Sequence, residues 1–178
     1  MKARRNAPAR PKPQRGRFQQ GPRTRAGLMT APRMDFGDID NAEWLLFEEG
    51  VTLAPIACEP AGSGGAPYGS VNVLSTAGVA DIESHALAGV VVPGAQDPRS
   101  AEGESQFDKL INTACQEGLP VMAFGPGVER TLQAVGYDIP ANMPPALLLH
   151  QGVRILETAD DVRDALAVFR GVQARRAA

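Results

Sequence analysis

Short aliphatic runs alternate along this chain with longer stretches in which apolar positions recur every three or four residues. The clearest run is Leu87–Pro93 (LAGVVVP), continuous and β-branched, which predicts a strand buried on both faces inside a parallel sheet. Pro120–Phe124 (PVMAF) reads the same way. Val51–Ala57 (VTLAPIA) is also a strand, but Pro55 has no N–H to give a ladder and so suits a sheet edge or a bulge. Weaker strands are expected at Leu28–Ala31, Val71–Ser75, Ala146–His150 and Val153–Leu156.

Helical spacing predicts a helix over Gln106–Glu117, with Phe107, Leu110, Ile111 and Ala114 on one face and Gly118 as its stop. Asp160–Phe169 follows the same rule, with Val162, Ala165, Leu166 and Phe169 inward. Val128–Val135 is closed by Gly136, after a turn at Gly125-Pro126-Gly127. Ile39–Glu49 is opened by Asp38 and closed by Gly50, an acidic start and a glycine end that mark helix boundaries. Asp81–Ala86 is a turn or short helix, and Glu59–Ser70 a Gly/Pro loop. Strand and helix alternating with crossovers of this length predict an α/β fold, a doubly wound and mostly parallel sheet in a flavodoxin-like sandwich.

With 178 residues, 43% hydrophobic, the chain has material for one ordinary domain. The net charge of −2 conceals a division, because residues 1–33 carry ten of the 18 basic side chains and no acid. Residues 34–178 therefore carry eight basic and 20 acidic groups, a net −12. The first 25 residues are rich in Arg, Pro and Gln and too poor in apolar surface to offset their ordering entropy. They are read as a disordered basic tail, residues 26–171 as the α/β domain, and 172–178 as a short C-terminal tail. No apolar stretch approaches the roughly 20 residues that span a bilayer, and no signal-peptide pattern opens the chain. A cytoplasmic protein without membrane contact is the expectation. Two cysteines without a CxxC, and two histidines, give no basis for a metal site. No cofactor is expected either: neither Gly62-Ser63-Gly64-Gly65 nor the 125–127 turn has the lysine and hydroxyl of a phosphate-binding loop.

Ligands of such sheets bind beyond the carboxyl ends of the strands. Three junctions lie there: Asp35–Asp38, Pro93-Gly94-Ala95-Gln96 and Phe124-Gly125-Pro126-Gly127. The segments Val90–Ala95 (VVVPGA), Gly118–Val121 (GLPV) and Ala123–Gly127 (AFGPG), in this order and spacing, resemble the ThiJ/PfpI superfamily, the class I glutamine amidotransferase-like group. The resemblance covers roughly residues 26–170 and rests on the order of elements more than on long identities. It implies a homodimer and a pocket built around a strand-to-helix elbow. The family places a cysteine nucleophile on that elbow, its thiolate stabilised by the following helix. Gly125 occupies the position here, Pro126 replaces the histidine that often follows, and Ala95 replaces the second glycine of PGG. Asp38 aligns near the family's acidic residue and otherwise reads as a helix N-cap.

The expectation is therefore a pseudoenzyme that acts by ligand or protein binding, with no catalytic residue. Its ligand pocket would be lined by Asp38, Gly94, Ala95, Gly125, Pro126 and Gly127, and a small-molecule ligand is one occupant it could take. Two residues carry the alternative, a ThiJ/PfpI-type hydrolase or glyoxal-processing enzyme. Cys58 ends the second strand and reads as a loop or buried thiol unless it is a relocated nucleophile. His150 ends a strand near the expected pocket and reads as a structural histidine unless it is a general base. Cys115 reads as core filler, and His85 as a loop residue with no recognisable partner. A third reading assigns binding of nucleic acid or another polyanion to residues 1–33, weak and salt-sensitive.

Overall fold

The computed structural model describes residues 24–30, 46, 49–57, 66–68, 71–73, 75–93 and 101–177. The chain runs β1 (Thr24–Thr30), β2 (Val51–Ala57), β3 (Ala66–Tyr68), β4 (Val71–Val73), α1 (Val79–Glu83), β5 (Val90–Val92), α2 (Ala101–Gln116), β6 (Val121–Phe124), α3 (Pro126–Val135), β7 (Ala146–Leu149), β8 (Val153–Leu156) and α4 (Ala159–Ala177). Six strands form one sheet in the order β2-β1-β5-β6-β7-β8, and β3 with β4 makes a separate antiparallel pair. The first four strands of the sheet are parallel; β7 and β8 return antiparallel.

Successive residues of a strand face opposite sides of the sheet, and the core divides accordingly. Val90, Val92, Val121, Ala123 and Leu147 pack with Phe107, Leu110, Ile111 and Ala114 of α2 and Val128 and Leu132 of α3. Ala26, Leu28, Val91, Met122 and Leu148 pack on the other side with Val162, Ala165, Leu166 and Phe169 of α4. This is the expected sandwich, with the predicted inward faces of α2 and α4 buried. Among the described residues no helix is long and apolar enough to cross a membrane.

Several boundaries move. β1 begins at Thr24, not Leu28, so the last two residues of the segment read as tail belong to a strand. Its Thr-Arg-Ala-Gly opening looks unlike a buried strand. Yet β1 lies between β2 and β5, and at Gly27 a Cβ would come within 2.5 Å of the Ile56 side chain. α2 starts five residues before Gln106, and α4 runs to Ala177 with Val172 buried, where a C-terminal tail was expected. β3 falls inside the segment read as a loop. Of the Ile39–Glu49 helix only Leu46, buried and helical, and Glu49 are described; Gly50 follows at φ 73°. Its N-cap Asp38 lies outside the described residues.

Pro55 sits where its missing donor predicts, on the edge strand β2. Its carbonyl accepts the amides of Thr76 and Ala77, and Ala77 bridges to Ile56. The incoming segment thus covers part of that edge. α4 is started by a reciprocal cap: the Asp161 amide donates to Thr158 Oγ1 (3.2 Å), while the Asp161 carboxylate accepts from the Thr158 amide (2.9 Å) and hydroxyl (2.8 Å).

Candidate functional site: an elbow without a nucleophile

Phe124 ends β6 half-buried, and the backbone then turns sharply into α3 through Gly125 at φ 49°, ψ −129°. Side-chain-bearing residues are strained at this φ, so glycine is what the turn's geometry favours. The helix begins one residue later than the turn and earlier than the sequence pattern suggests, because Pro126 takes the first helical position, where its fixed φ fits and its missing N–H costs nothing. Gly127 follows in close backbone contact with the end of β5. A Cβ there would lie 2.6 Å from the Val92 carbonyl oxygen and 2.7 Å from that of Pro93. The 125–127 turn is thus pressed against the carboxyl end of the buried strand, where the fold class places a ligand.

The amides of this turn are largely committed. Gly125 N–H donates to the Pro145 carbonyl (2.9 Å), Pro126 has no N–H, and Val128 N–H donates to Gly125 O (3.0 Å). The Thr131 hydroxyl, buried, donates to the Gly127 carbonyl (2.8 Å). A glycine-rich helix start can hold an anion through free backbone donors; here proline removes one and Pro145 takes another. At the neighbouring strand end, the buried Thr30 hydroxyl donates to Ile56 O (2.9 Å). The described part of the site therefore offers a shaped, nearly donor-free backbone surface with no thiol and no general base.

The remaining sequence candidates fall in three places. Gly94, Ala95, Asp38 and Cys58 lie outside the described residues. His150 does not approach the elbow. β7 runs antiparallel to β6, so Leu149 pairs with Val121 and Ala146 with Phe124. His150 is thus at the amino end of the parallel strands, roughly 17 Å from Gly125 at about 3.4 Å per rung. His150 does follow the end of a strand, but because β7 runs antiparallel to β6 that end lies away from the elbow. Its imidazole pKa is held below the ordinary value, by burial first and the Arg175 charge second. Cys115 is half-buried on α2 against the core, and burial pushes its thiol pKa up, the opposite of an activated nucleophile. His85 does have a partner: its Nε2 lies 3.2 Å from Glu117 Oε2, joining the turn after α1 to the end of α2.

Sequence reasoning missed Pro145. Its carbonyl reaches Gly125 only because β7 returns beside β6, and the Met143-Pro144-Pro145 sequence carries no signal of that direction.

No family model matches the sequence, and no curated protein matches it. Solved structures do match its fold. An AraC family transcriptional regulator from Pseudomonas putida is 11% identical with a TM-score of 0.55, over 86% of this chain and 99% of that one. DJ-1beta from Drosophila melanogaster is 13% identical with a TM-score of 0.52, over 86% and 97% of the two chains. Oxidized DJ-1 from Toxoplasma gondii is 11% identical with a TM-score of 0.50, over 86% and 97%. The chain has the fold of the DJ-1/ThiJ/PfpI superfamily, the group that the elbow motifs resemble.

Proposed function

We propose that this chain is a non-catalytic DJ-1/ThiJ/PfpI-like domain that works by binding a ligand or a protein, as a homodimer. The observation that carries this reading is the elbow itself: the sharp turn is present, but its apex is Gly125 and the next residue is Pro126. Covalent chemistry at such an elbow needs a side-chain nucleophile, and stabilising the oxyanion it generates needs backbone donors. Gly125 supplies no nucleophile, its own amide is held by Pro145, and Pro126 has no amide to give. The raised thiol pKa of Cys115 argues against a relocated nucleophile on α2. One protein of similar fold is named for transcriptional regulation, which accords with a fold used for binding.

The test is turnover of methylglyoxal and of glutamine by the purified protein, beside a Cys58→Ala/Cys115→Ala double variant. Absence of turnover in both is the expected result. Turnover that the double variant loses would assign a relocated thiol nucleophile and overturn the proposal.

A further inference from the structure

Charged side chains are sorted along this sequence into three blocks. Residues 1–33 hold ten of the 18 lysines and arginines, residues 165–178 hold three more (Arg170, Arg175 and Arg176), and neither block contains an acid. All 20 acidic side chains lie in residues 34–164, among only five basic ones. The two acid-free blocks stand at opposite ends of the sequence, and the fold brings both to one end of the sheet. Residue 23 is joined to Thr24, which opens β1 opposite Val51 of β2. α4 starts at the carboxyl ends of the strands and reaches their amino ends by Phe169, whose ring lies against Gly89, the residue before β5. The next residue, Arg170, sets its Nη2 2.7 Å from the Oε2 of Glu49, two residues before Val51. Val172 is buried with the core of the opposite face, so the last turns of α4 pass across the amino end of the sheet. Arg175 follows there: after burial, its charge is what holds the imidazole pKa of His150 down, and His150 follows Leu149, the partner of Val121 at the start of β6.

Most cations of the domain are already matched. Arg130, Arg154, Arg163 and Arg170 each meet a carboxylate, and Glu117 is met by His85. Arg25 is turned along the sheet, its Nη2 reaching the Thr76 carbonyl (3.4 Å). Arg175 is exposed and forms no ion pair among the described residues; its Nε donates to the Gly171 carbonyl (3.3 Å). The exposed acids Glu83 and Asp138 also lie toward this end, but at the ends of α1 and α3, which pack on the face opposite α4. We propose that the amino pole of the sheet binds nucleic acid, through phosphate contacts made jointly by residues 1–23 and the end of α4 around Arg175. This site is independent of whatever the elbow holds. Composition selects the occupant. Six of the eight cations in residues 1–23, and all three in 165–178, are arginine, whose planar guanidinium pairs with phosphate oxygens two bonds at a time. Residues 1–23 contain Met1 and Phe18 as their only large apolar side chains, too few to seat a segment in the acyl boundary of a membrane.

The test is fluorescence anisotropy of a labelled thymidine homopolymer strand with the full chain, over a range of salt. The wild type is expected to bind, and to weaken steeply as salt rises. Arg175→Ala/Arg176→Ala should bind more weakly and flatten the slope of log K against log salt by about 1.4, since each lost phosphate contact with a single strand removes about 0.7. Arg175→Lys/Arg176→Lys, which keeps the charge, should restore most of that slope. Arg154→Ala/Arg163→Ala removes the same charge away from the pole and should bind as the wild type does. Absence of binding by the wild type, or a slope that Arg175→Ala/Arg176→Ala leaves unchanged, overturns the proposal. Equal losses in the two alanine variants overturn it as well, because net charge and not position would then be the cause. Cosedimentation with phosphatidylglycerol vesicles under salt that abolishes strand binding would assign the pole to a lipid surface and overturn the nucleic-acid reading.

Discussion

Gly125 and Gly127 stand two residues apart and are constrained for different reasons. At Gly125 the constraint is conformational: φ 49° with ψ −129° is a region that L side chains rarely enter. Gly125→Ala is expected to lower stability by about 1–3 kcal/mol, read as a lower urea midpoint. At Gly127 the constraint is contact. The atoms a Cβ would meet are the backbone carbonyls of Val92 and Pro93, which cannot swing aside as a side chain would. Gly127→Ala should cost at least as much, about 1–3 kcal/mol or more as overpacking does. It should also disturb the elbow itself, shifting the amide resonances of residues 125–128. The sequence revealed that this turn is glycine-rich; it could not distinguish the two constraints, because one depends on local torsions and the other on a strand more than thirty residues earlier. His150 offers a further check at this scale. Because burial and then Arg175 depress its pKa, it stays neutral to lower pH than an ordinary histidine. Arg175→Ala should raise that pKa only part of the way, since burial is the larger cause, as an NMR titration of the imidazole would show.

Elements were legible where their hydrophobic pattern was strong and their ends were marked. The Val90–Val92 run and the Gly118 and Gly136 helix stops fall where the pattern puts them, the glycines at φ 66° and 74°. The direction of β7 and β8 was not legible, because a four-residue apolar run has the same pattern in either sense and only the partner strand decides. α4 shows a related gap. Its last turn and a half reads as polar, and Val172 alone, buried against the other helices' core, records that it packs. At its start, the Thr158–Asp161 cap was not singled out. Thr158→Ala is expected to lower stability by about 1 kcal/mol, as N-cap losses usually do. The hydrogen bonds from the Thr158 side chain, then its backbone, hold the Asp161 carboxyl below its ordinary range. A carboxyl depressed in the folded state stabilises above its unfolded pKa, about 3.9, and that contribution is lost as pH falls through the depressed value. The difference in melting temperature between wild type and Asp161→Asn should therefore be full near neutral pH and vanish in strong acid.

For the whole molecule, the division between a basic first segment and an acidic remainder is a fact of the sequence, and β1 changes how it must be probed. Removing residues 1–33 would delete a strand from inside the sheet, since β1 begins at Thr24. Truncation at residue 23 removes eight of the ten basic side chains and keeps that strand. If residues 1–23 hold polyanions through phosphate contacts, affinity for single-stranded DNA should fall steeply between low and physiological salt, and the truncated chain should lose it. Fluorescence anisotropy at several salt concentrations measures both.

Because β1 and β6 run parallel, the entry of the chain at Thr24 and the elbow at Gly125 lie at opposite ends of the sheet, separated by about 23 Å at 3.3 Å per rung. The domain thus has two poles, one where the basic residues 1–23 join β1 and one at the Gly125–Gly127 turn. If the turn holds a ligand and residues 1–23 hold a polyanion, the span of parallel strands between the two ends would let both be bound at once, which a DNA-binding titration with and without the ligand would show.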